Sequence, residues 1–178
     1  MTSIHIREAS ADDLKTIQAL GKQTFYETFA PHNSEEQIQQ YLKESFAEDK
    51  LTKELNNPHS QFFIAWEGEN PVGYLKLNSG KAQTELQDDA SLEIERIYVK
   101  SSYQGKKVGQ LLYTKAWETA VEQKKKYLWL GVWEQNLRAV AFYKKNGFEE
   151  FDKHIFRMGS EEQTDLMMRK ILDQSQIS

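Results

Sequence analysis

A short segment that joins a predicted strand to a predicted helix carries the clearest indication of chemistry. It places two glycines and two lysines within seven residues: Gln104, Gly105, Lys106, Lys107, Val108, Gly109 and Gln110. A glycine-containing loop that enters a helix leaves several backbone N–H groups unpaired at the positive end of the helix dipole, where phosphate oxygens bind. The alternative is a tight turn with Gly105 at positive φ and a solvated lysine pair. Neither the Walker pattern nor the G-x-G-x-x-G spacing is present, which disfavours ATP and NAD.

A second group of candidate residues lies downstream, at Asn136 and in FYKKNGF (142–148). Asn136 and Tyr143 are seven residues apart, so both fall on one side of a predicted helix. Alone, Asn136 is typical of a helix N-cap, and Tyr143 of an amphipathic side chain with its hydroxyl at the surface. Their combination makes both candidates for contact with a ligand.

Two carboxylates alternate along the predicted strand SLEIERIYV (91–99). Successive side chains of a strand point to opposite faces, so Glu93 and Glu95 share one face with Ile97 and Val99. A carboxylate in this position could accept a proton from a reacting group. The alternative is that both are ordinary surface acids on the solvated face of an edge strand.

The elements that must position these residues are predicted from periodicity and turn signals. Strands are predicted at 4–7, 61–67, 72–78, 91–99, 127–133, 151–158 and 165–172. Helices are predicted at 11–29 with Ser10 as the N-cap, from a cap at Ser34 through Phe46, near 51–55, at 108–124 and at 136–145. The order β-α-α-β-β-β-α-β-α-β-β indicates an α+β fold in which helices cover a mixed sheet. We expect a single domain over 1–172 and a polar tail at 173–178.

Composition excludes several classes of function. The 178 residues include 23 Lys plus Arg against 27 Asp plus Glu, a net charge of -4, which disfavours a general nucleic-acid or anionic-membrane binder. Without cysteine, there is no disulfide, thiolate metal site or cysteine nucleophile. The four histidines have no metal-site spacing, so no metal is expected. The chain has neither a signal-peptide core at 1–14 nor a run of ~18 apolar residues, and we expect a cytoplasmic protein.

Three motifs in this order and spacing resemble the GCN5-related N-acetyltransferase (GNAT) superfamily. They are EIERIYV (93–99), YQGKKVG (103–109), and Asn136 with FYKKNGF (142–148). More narrowly, the chain is similar to bacterial spermidine/spermine N-acetyltransferases of the Pai operon type at SQFF (60–63), LEIERIY (92–98), WLGVWE (129–134), and Gly159 with EQTDL (162–166). In element order the resemblance covers 4–172. Lys107 stands where the superfamily loop usually has its first glycine.

The resemblance implies the GNAT fold and acetyl-CoA as cosubstrate, held largely by backbone groups. The diphosphate would lie on the backbone of 104–110, and the pantetheine arm would pair with the strand near Ile97 and Val99. A backbone N–H of Ile97, Tyr98 or Val99 would face the developing oxyanion. Asn136 would contact the pantetheine arm, and a splay between 91–99 and 127–133 would admit the thioester.

The implied reaction is direct attack of an amine on the thioester, which requires a proton acceptor. At neutral pH, freeing the lone pair of an alkyl amine with a pKa of ~10 costs about 4 kcal/mol. Glu95 aligns with the acidic position of polyamine acetyltransferases and Glu93 with that of histone-type relatives, so Glu95 is the favoured base and Glu93 its assistant or substitute. Tyr143 would give the leaving thiolate a proton, or a hydrogen bond.

The favoured function is therefore acetylation of a primary amine of spermidine or spermine. The alternatives are acetylation of a peptide, protein or other small amine, and a non-catalytic acyl-CoA-binding regulator. Acidic residues that could line a polyamine groove are Glu35, Glu36, Asp88, Asp89 and Glu134. We expect a small-molecule amine as partner, with no membrane or nucleic acid, and a homodimer stays open.

Overall fold

The computed structural model describes residues 3–158 and 161–172. Its α-helices are α1 (Leu14–Phe29), α2 (Glu35–Ser45), α3 (Glu48–Asn56), α4 (Val108–Glu122) and α5 (Leu137–Lys145). Its strands are β1 (Ile4–Glu8), β2 (Ser60–Glu67), β3 (Asn70–Ser79), β4 (Ser91–Val99), β5 (Tyr127–Trp133), β6 (Glu149–Met158) and β7 (Glu161–Ile171). The predicted tail at 173–178 and Gly159 lie outside the described residues.

The strands form one seven-stranded sheet in the order β1-β2-β3-β4-β5-β7-β6. β1 pairs antiparallel with β2, and β7 pairs antiparallel with both β5 and β6. β4 and β5 are parallel, so the sheet is mixed. This confirms the predicted α+β class.

The chain divides into two compact units. The first comprises Met1–Leu77 and Arg96–Ala116, and the second comprises Asn78–Glu95 and Trp117–Ser178. β3, β4 and α4 contribute residues to each unit. The single domain expected over 1–172 stays a prediction.

Two helix starts in the first unit follow from serine caps that the sequence predicts. The Ser10 side chain accepts a hydrogen bond from the Asp12 amide, and the Asp13 carboxylate accepts one from the Ser10 amide. Ser34 accepts from the amide of Gln37 at the start of α2. These bonds satisfy amides that have no intrahelical partner.

The first unit also needs close backbone packing beside the loop that precedes α4. A Cβ added at Gly73 of β3 would lie 2.8 Å from the carbonyl oxygen of Tyr98 and 3.3 Å from Cδ1 of Leu112. Only glycine allows this approach of β3 to β4 and α4 without displacing backbone. The packing holds the end of β4 and the first turns of α4 together.

In the second unit, β5 carries a run of buried apolar residues. Leu128, Trp129 and Leu130 are each at most 2% exposed, as an apolar run in the middle of a covered sheet predicts. β6 and β7 begin earlier than predicted, at Glu149 and Glu161, and β6 carries a register shift between Glu150 and Asp152. Antiparallel pairing along the hairpin recruits polar residues whose pattern alone does not indicate a strand.

Candidate active site

The loop that enters α4 exposes a row of backbone donors. Leu111 N donates to Lys107 O at 3.1 Å, which makes Lys107 the first helical acceptor. Among the residues described, no acceptor reaches the amides of Gly105, Lys107, Val108 or Gly109. Val108 is only 1% exposed, so its side chain anchors a loop that is otherwise exposed. Unpaired amides at a helix N-terminus are what a phosphate group requires.

Two residues of this loop adopt the left-handed backbone conformation. Gly105 has φ +82 and open space where a Cβ would lie, and Lys107 has φ +67. The value at Lys107 explains why similar loops carry glycine there, since a side chain in this region is strained. The loop thus keeps the glycine-type conformation although the residue is lysine.

Tyr103 fixes the position of the loop within the first unit. Its hydroxyl donates to Glu67 Oε1 at 2.7 Å and accepts from Asn70 Nδ2 at 3.2 Å. Lys106 Nζ lies 5.0 Å from the centroid of the Tyr103 ring, within cation–π range. The side chain of Lys106 is therefore packed on a tyrosine that is itself hydrogen-bonded to β2 and β3.

In the second unit, Glu93 is a buried carboxylate with three donors. It is 3% exposed, and its Oε1 accepts from Asn78 Nδ2 at 3.0 Å and from the Thr84 amide at 2.9 Å. Its Oε2 accepts from Thr84 Oγ1 at 2.6 Å. Burial raises the pKa of Glu93, the bonds from Thr84 and Asn78 oppose that shift, and the charge of Glu95 adds to it.

Glu95 lies beside Glu93 and is half-buried. Asn78 Nδ2 also donates to Glu95 Oε1, at 2.8 Å, so one amide group contacts both acids. The alternative that these are surface acids on an edge strand is wrong, because β4 lies between β3 and β5 and Glu93 is buried. Parallel pairing of β4 with β5 runs from Ser91 to Ile94, and Glu95 is the next residue.

Sequence reasoning missed Asn78 and Thr84, the donors to these acids. Asn78 ends an apolar strand and is 0% exposed. A fully buried asparagine one residue from a strand end is a signal for a polar partner, but it does not identify which one. Thr84 lies in a polar segment with no periodicity, so nothing in the sequence indicates its contact.

Tyr143 is buried on α5. This differs from the alternative of an amphipathic side chain with its hydroxyl at the surface. It is 7% exposed and packs edge-to-face against Phe142 and Phe148, with ring centroids 5.4 and 5.7 Å away. Burial raises the pKa of its phenol far above the ordinary value. In the part of the chain that the structure describes, no hydrogen bond reaches its hydroxyl, which leaves the group available to a ligand.

Asn136 is the N-cap of α5, as one of its two interpretations predicts. Its Oδ1 accepts from the Ala139 amide at 3.3 Å. At the other end, Gly147 follows the helix with φ +94, and its amide donates to Lys144 O at 3.0 Å. The cap and the glycine fix both ends of the short helix that carries Tyr143.

Two of the candidate groove acids have structural partners. Asp88 Oδ1 accepts from the Ala90 amide and Oδ2 accepts from the Tyr127 hydroxyl, both at 2.8 Å, and these bonds lower the pKa of Asp88. Glu35 accepts from the Tyr26 hydroxyl at 3.0 Å. Asp88 therefore holds the loop before β4 in place through its bonds to Ala90 and Tyr127, and this structural role needs no ligand.

A further acidic residue, Asp165, lies on β7 opposite Trp133 of β5 and His154 of β6. Burial raises its pKa to about 6, against the opposing charge of His154, and Glu85 adds to the shift. His154 Nδ1 forms an ion pair with Glu85. Asp165 thus titrates close to neutral pH within a small charged cluster.

Residues 3–158 and 161–172 contain no group of three or more His, Cys, Asp or Glu side chains arranged to hold a metal ion. None of the helices in these two ranges has both the length and the apolar character that crossing a bilayer requires.

The seven-stranded mixed sheet is the fold of an acyltransferase that binds a coenzyme A thioester. Residues 22–148 match the acetyltransferase (GNAT) family, and the chain belongs to that family. It is an N-acetyltransferase that uses acetyl-CoA, and the unpaired amides of Gly105, Lys107, Val108 and Gly109 fit the diphosphate of that cosubstrate. This confirms the family that the motifs predict, and the seven-stranded mixed sheet is its fold.

Three known proteins illustrate the similarity. An uncharacterised N-acetyltransferase of Lactobacillus delbrueckii subsp. lactis is 40% identical over 97% of this chain and 99% of its own length. Spermidine N(1)-acetyltransferase of Thermoplasma acidophilum is 32% identical over 84% of this chain and 91% of its own. The crystal structure of PaiA N-acetyltransferase from Thermoplasma acidophilum in complex with coenzyme A superposes with a TM-score of 0.80 at 28% identity, covering 96% of this chain and 99% of that one.

The strain at Lys107 leads to a stability prediction. Replacing Lys107 by glycine removes the left-handed penalty of ~1–2 kcal/mol and adds some unfolded-chain entropy, so the free energy of unfolding should rise by about 1 kcal/mol. Urea unfolding measures the difference. Lys106→Gly is the matched control, because Lys106 has no positive φ and loses its contact with Tyr103. A Lys107→Gly variant less stable than the parent would show that the lysine side chain stabilises the loop.

Asp165 leads to a pH prediction. The folded chain holds this proton up to a pKa of about 6, whereas the unfolded chain releases it near the ordinary 3.8, so the free energy of unfolding falls as pH rises between these values. The stability gained by Asp165→Asn should therefore increase across this window and level off above it. Urea unfolding at a series of pH values tests this, with the exposed Asp152→Asn as control. A gain that is independent of pH would contradict the shift.

Proposed function

We propose that this N-acetyltransferase transfers the acetyl group of acetyl-CoA to a primary amine of a polyamine such as spermidine or spermine. The observation that carries the proposal is the pair of adjacent carboxylates, Glu93 and Glu95, joined through Asn78. A doubly acidic position suits an acceptor that arrives as an ammonium and must lose a proton. A Thermoplasma relative at 32% identity is named a spermidine acetyltransferase, which supports the same acceptor class.

The loop before α4 is proposed to bind the diphosphate through its backbone amides. Within 104–110 the donors are the amides of Gly105, Lys107, Val108 and Gly109. The amides of Gln104 and Lys106 already donate to Ser101 O and Tyr103 O, at 3.2 and 3.3 Å. The lysine side chains add positive charge to a chain of net charge -4, so anion binding here depends on a local arrangement rather than on the overall field. The backbone of Ile97, Tyr98 and Val99 is proposed to pair with the pantetheine arm and to face the thioester oxygen, and Asn136 to contact the arm.

Glu95 is proposed to take the proton from the acceptor amine, directly or through a water. It is the more exposed of the two acids, whereas both oxygens of Glu93 are already occupied by donors. Glu93 then acts as its assistant, keeping negative charge next to the ammonium. The freed lone pair attacks the thioester carbon, and the attacking nitrogen, now positively charged, releases its second proton to solvent. The C–S bond breaks, and the thiolate leaves with the bonding electrons.

Tyr143 is proposed to donate a hydrogen bond to the leaving sulfur. The raised pKa of this buried phenol makes complete proton transfer to a thiolate of pKa ~8.5 strongly uphill. A hydrogen bond strengthens as charge develops on sulfur and does not require that transfer. The thiolate takes its proton afterwards from solvent.

Measurement of free-thiol release with a panel of amines tests the acceptor class. Purified protein with acetyl-CoA should give the highest kcat/KM with spermidine or spermine. A lysine peptide, a peptide with a free N-terminus and an aminoglycoside serve as competing acceptors. Preference for either peptide would overturn the polyamine assignment, and binding of acetyl-CoA with no thiol release in the presence of any of these amines would indicate a regulator.

Two substitutions test the assigned roles. Glu95→Gln should lower kcat by about 10²-fold or more with the Kd for acetyl-CoA unchanged, since general-base catalysis is worth ~10²–10⁴. Tyr143→Phe should slow the chemical step by about 10-fold or more, since a hydrogen bond to a charged group is worth ~1.5–3 kcal/mol. Glu69→Gln in the β2–β3 turn and Tyr127→Phe are the matched controls, and calorimetry gives the Kd. A parent-like kcat in either test variant would remove that residue from the mechanism.

A further inference from the structure

A single side-chain amide connects the two acids of β4. Asn78 is 0% exposed, and its Nδ2 donates to Glu93 Oε1 at 3.0 Å and to Glu95 Oε1 at 2.8 Å. An amide NH₂ has two hydrogens, and here each has its own carboxylate. The opposite orientation would set the carbonyl oxygen of Asn78 against two acceptor oxygens, so the donor orientation is the stable one.

Glu93 has a second donor residue, Thr84. Thr84 donates to Glu93 through its amide and its hydroxyl, at 2.9 and 2.6 Å. The loop that carries Thr84 is held by Gln83, whose Oε1 accepts from Trp129 Nε1 at 2.6 Å and from Ser91 Oγ at 2.7 Å. Thr84 therefore stabilises Glu93, whereas Asn78 is the donor common to both acids.

The charged groups around the acids do not replace this amide. Within the second unit, the charge of Glu95 raises the pKa of Glu93, and Glu85 beside Thr84 is paired with His154. On the far side of β5, Arg169 lies opposite Trp129, the register partner of Glu93. In the first unit, the strand neighbours Lys76 and Arg96 form ion pairs with Glu54, at 2.7 and 3.1 Å.

We propose that Asn78 is a positioning residue that couples Glu93 and Glu95 into one proton-accepting pair. The coupling itself rests only on the contacts above, and its catalytic consequence rests on the proposed function. With both acids ionised, the shared amide offsets their repulsion. When Glu95 takes a proton, the amide still stabilises the charge on Glu93, so the site keeps one negative charge beside the reacting amine.

The coupling is tested without any activity measurement. Carbon-13 NMR of glutamate-labelled protein follows the carboxyl carbons of Glu93 and Glu95 during a pH titration. Asn78→Leu, which is close in volume but has no donor and adds no charge, should raise the apparent pKa values of both acids by about one unit or more. Asn78→Ser is the second variant should Asn78→Leu not fold. Thr84→Val, which removes one bond to Glu93 alone, should act mainly on Glu93.

The catalytic consequence is tested by the pH dependence of kcat/KM. In Asn78→Ser, the acid limb of the kcat/KM profile should move to higher pH by about one unit. At pH values well below the limb kcat/KM should then be about tenfold lower than in the parent, and above the limb it should recover. Asn56→Ala, an exposed asparagine at the end of α3, is the matched control. A purely structural role for Asn78 would lower kcat/KM equally at all pH values.

The two readouts separate failure of this inference from failure of the proposed function. Unchanged carboxyl titrations of Glu93 and Glu95 in both Asn78 variants would overturn the coupling, whatever the enzyme acetylates. Shifted titrations with a stationary acid limb would overturn the positioning role and also remove the acid pair as the base. Shifted titrations and a shifted limb with a peptide as the best acceptor would support Asn78 and overturn only the polyamine assignment.

Discussion

The arrangement of the second unit depends on one constraint, the burial of a carboxylate in the middle of a sheet. Glu93 is 3% exposed on β4, and an ionised carboxylate at such a position is costly unless donors replace its water. Three donors are present, from Asn78 and Thr84. The end of β3 and the loop before β4 are therefore fixed by the hydrogen-bond donors that this one carboxylate requires.

The loop before α4 in the first unit has the opposite requirement, because its backbone amides must stay unpaired in order to bind a ligand. Gly105 and Lys107 adopt left-handed backbone conformations, and the amides of Gly105, Lys107, Val108 and Gly109 have no internal acceptor among the described residues. Val108 and Tyr103 hold the loop in that shape through packing and hydrogen bonds. Strain at Lys107 is thus part of what keeps the donors available.

The sequence predicts the elements that carry the site because their patterns are strong. The bounds 91–99 and 127–133 match the observed strands, and Ser10, Ser34 and Asn136 cap helices as the sequence predicts. These features depend on local physics: alternation, apolar runs, and hydrogen bonds that span two or three residues. The contacts of Asn78 and Thr84 span nine to seventeen residues, and no local pattern encodes them. The early starts of β6 and β7 likewise depend on the pairing of these two strands with each other, which no local pattern encodes.

The central claim is that the backbone between Gln104 and Gln110 holds the diphosphate of acetyl-CoA, and a crystal structure of the protein with coenzyme A tests it most directly. The account predicts diphosphate oxygens within hydrogen-bonding distance of the amides of Gly105, Lys107, Val108 and Gly109, with Lys107 still at positive φ. Coenzyme A bound elsewhere on the chain, with those amides still unpaired, would contradict it.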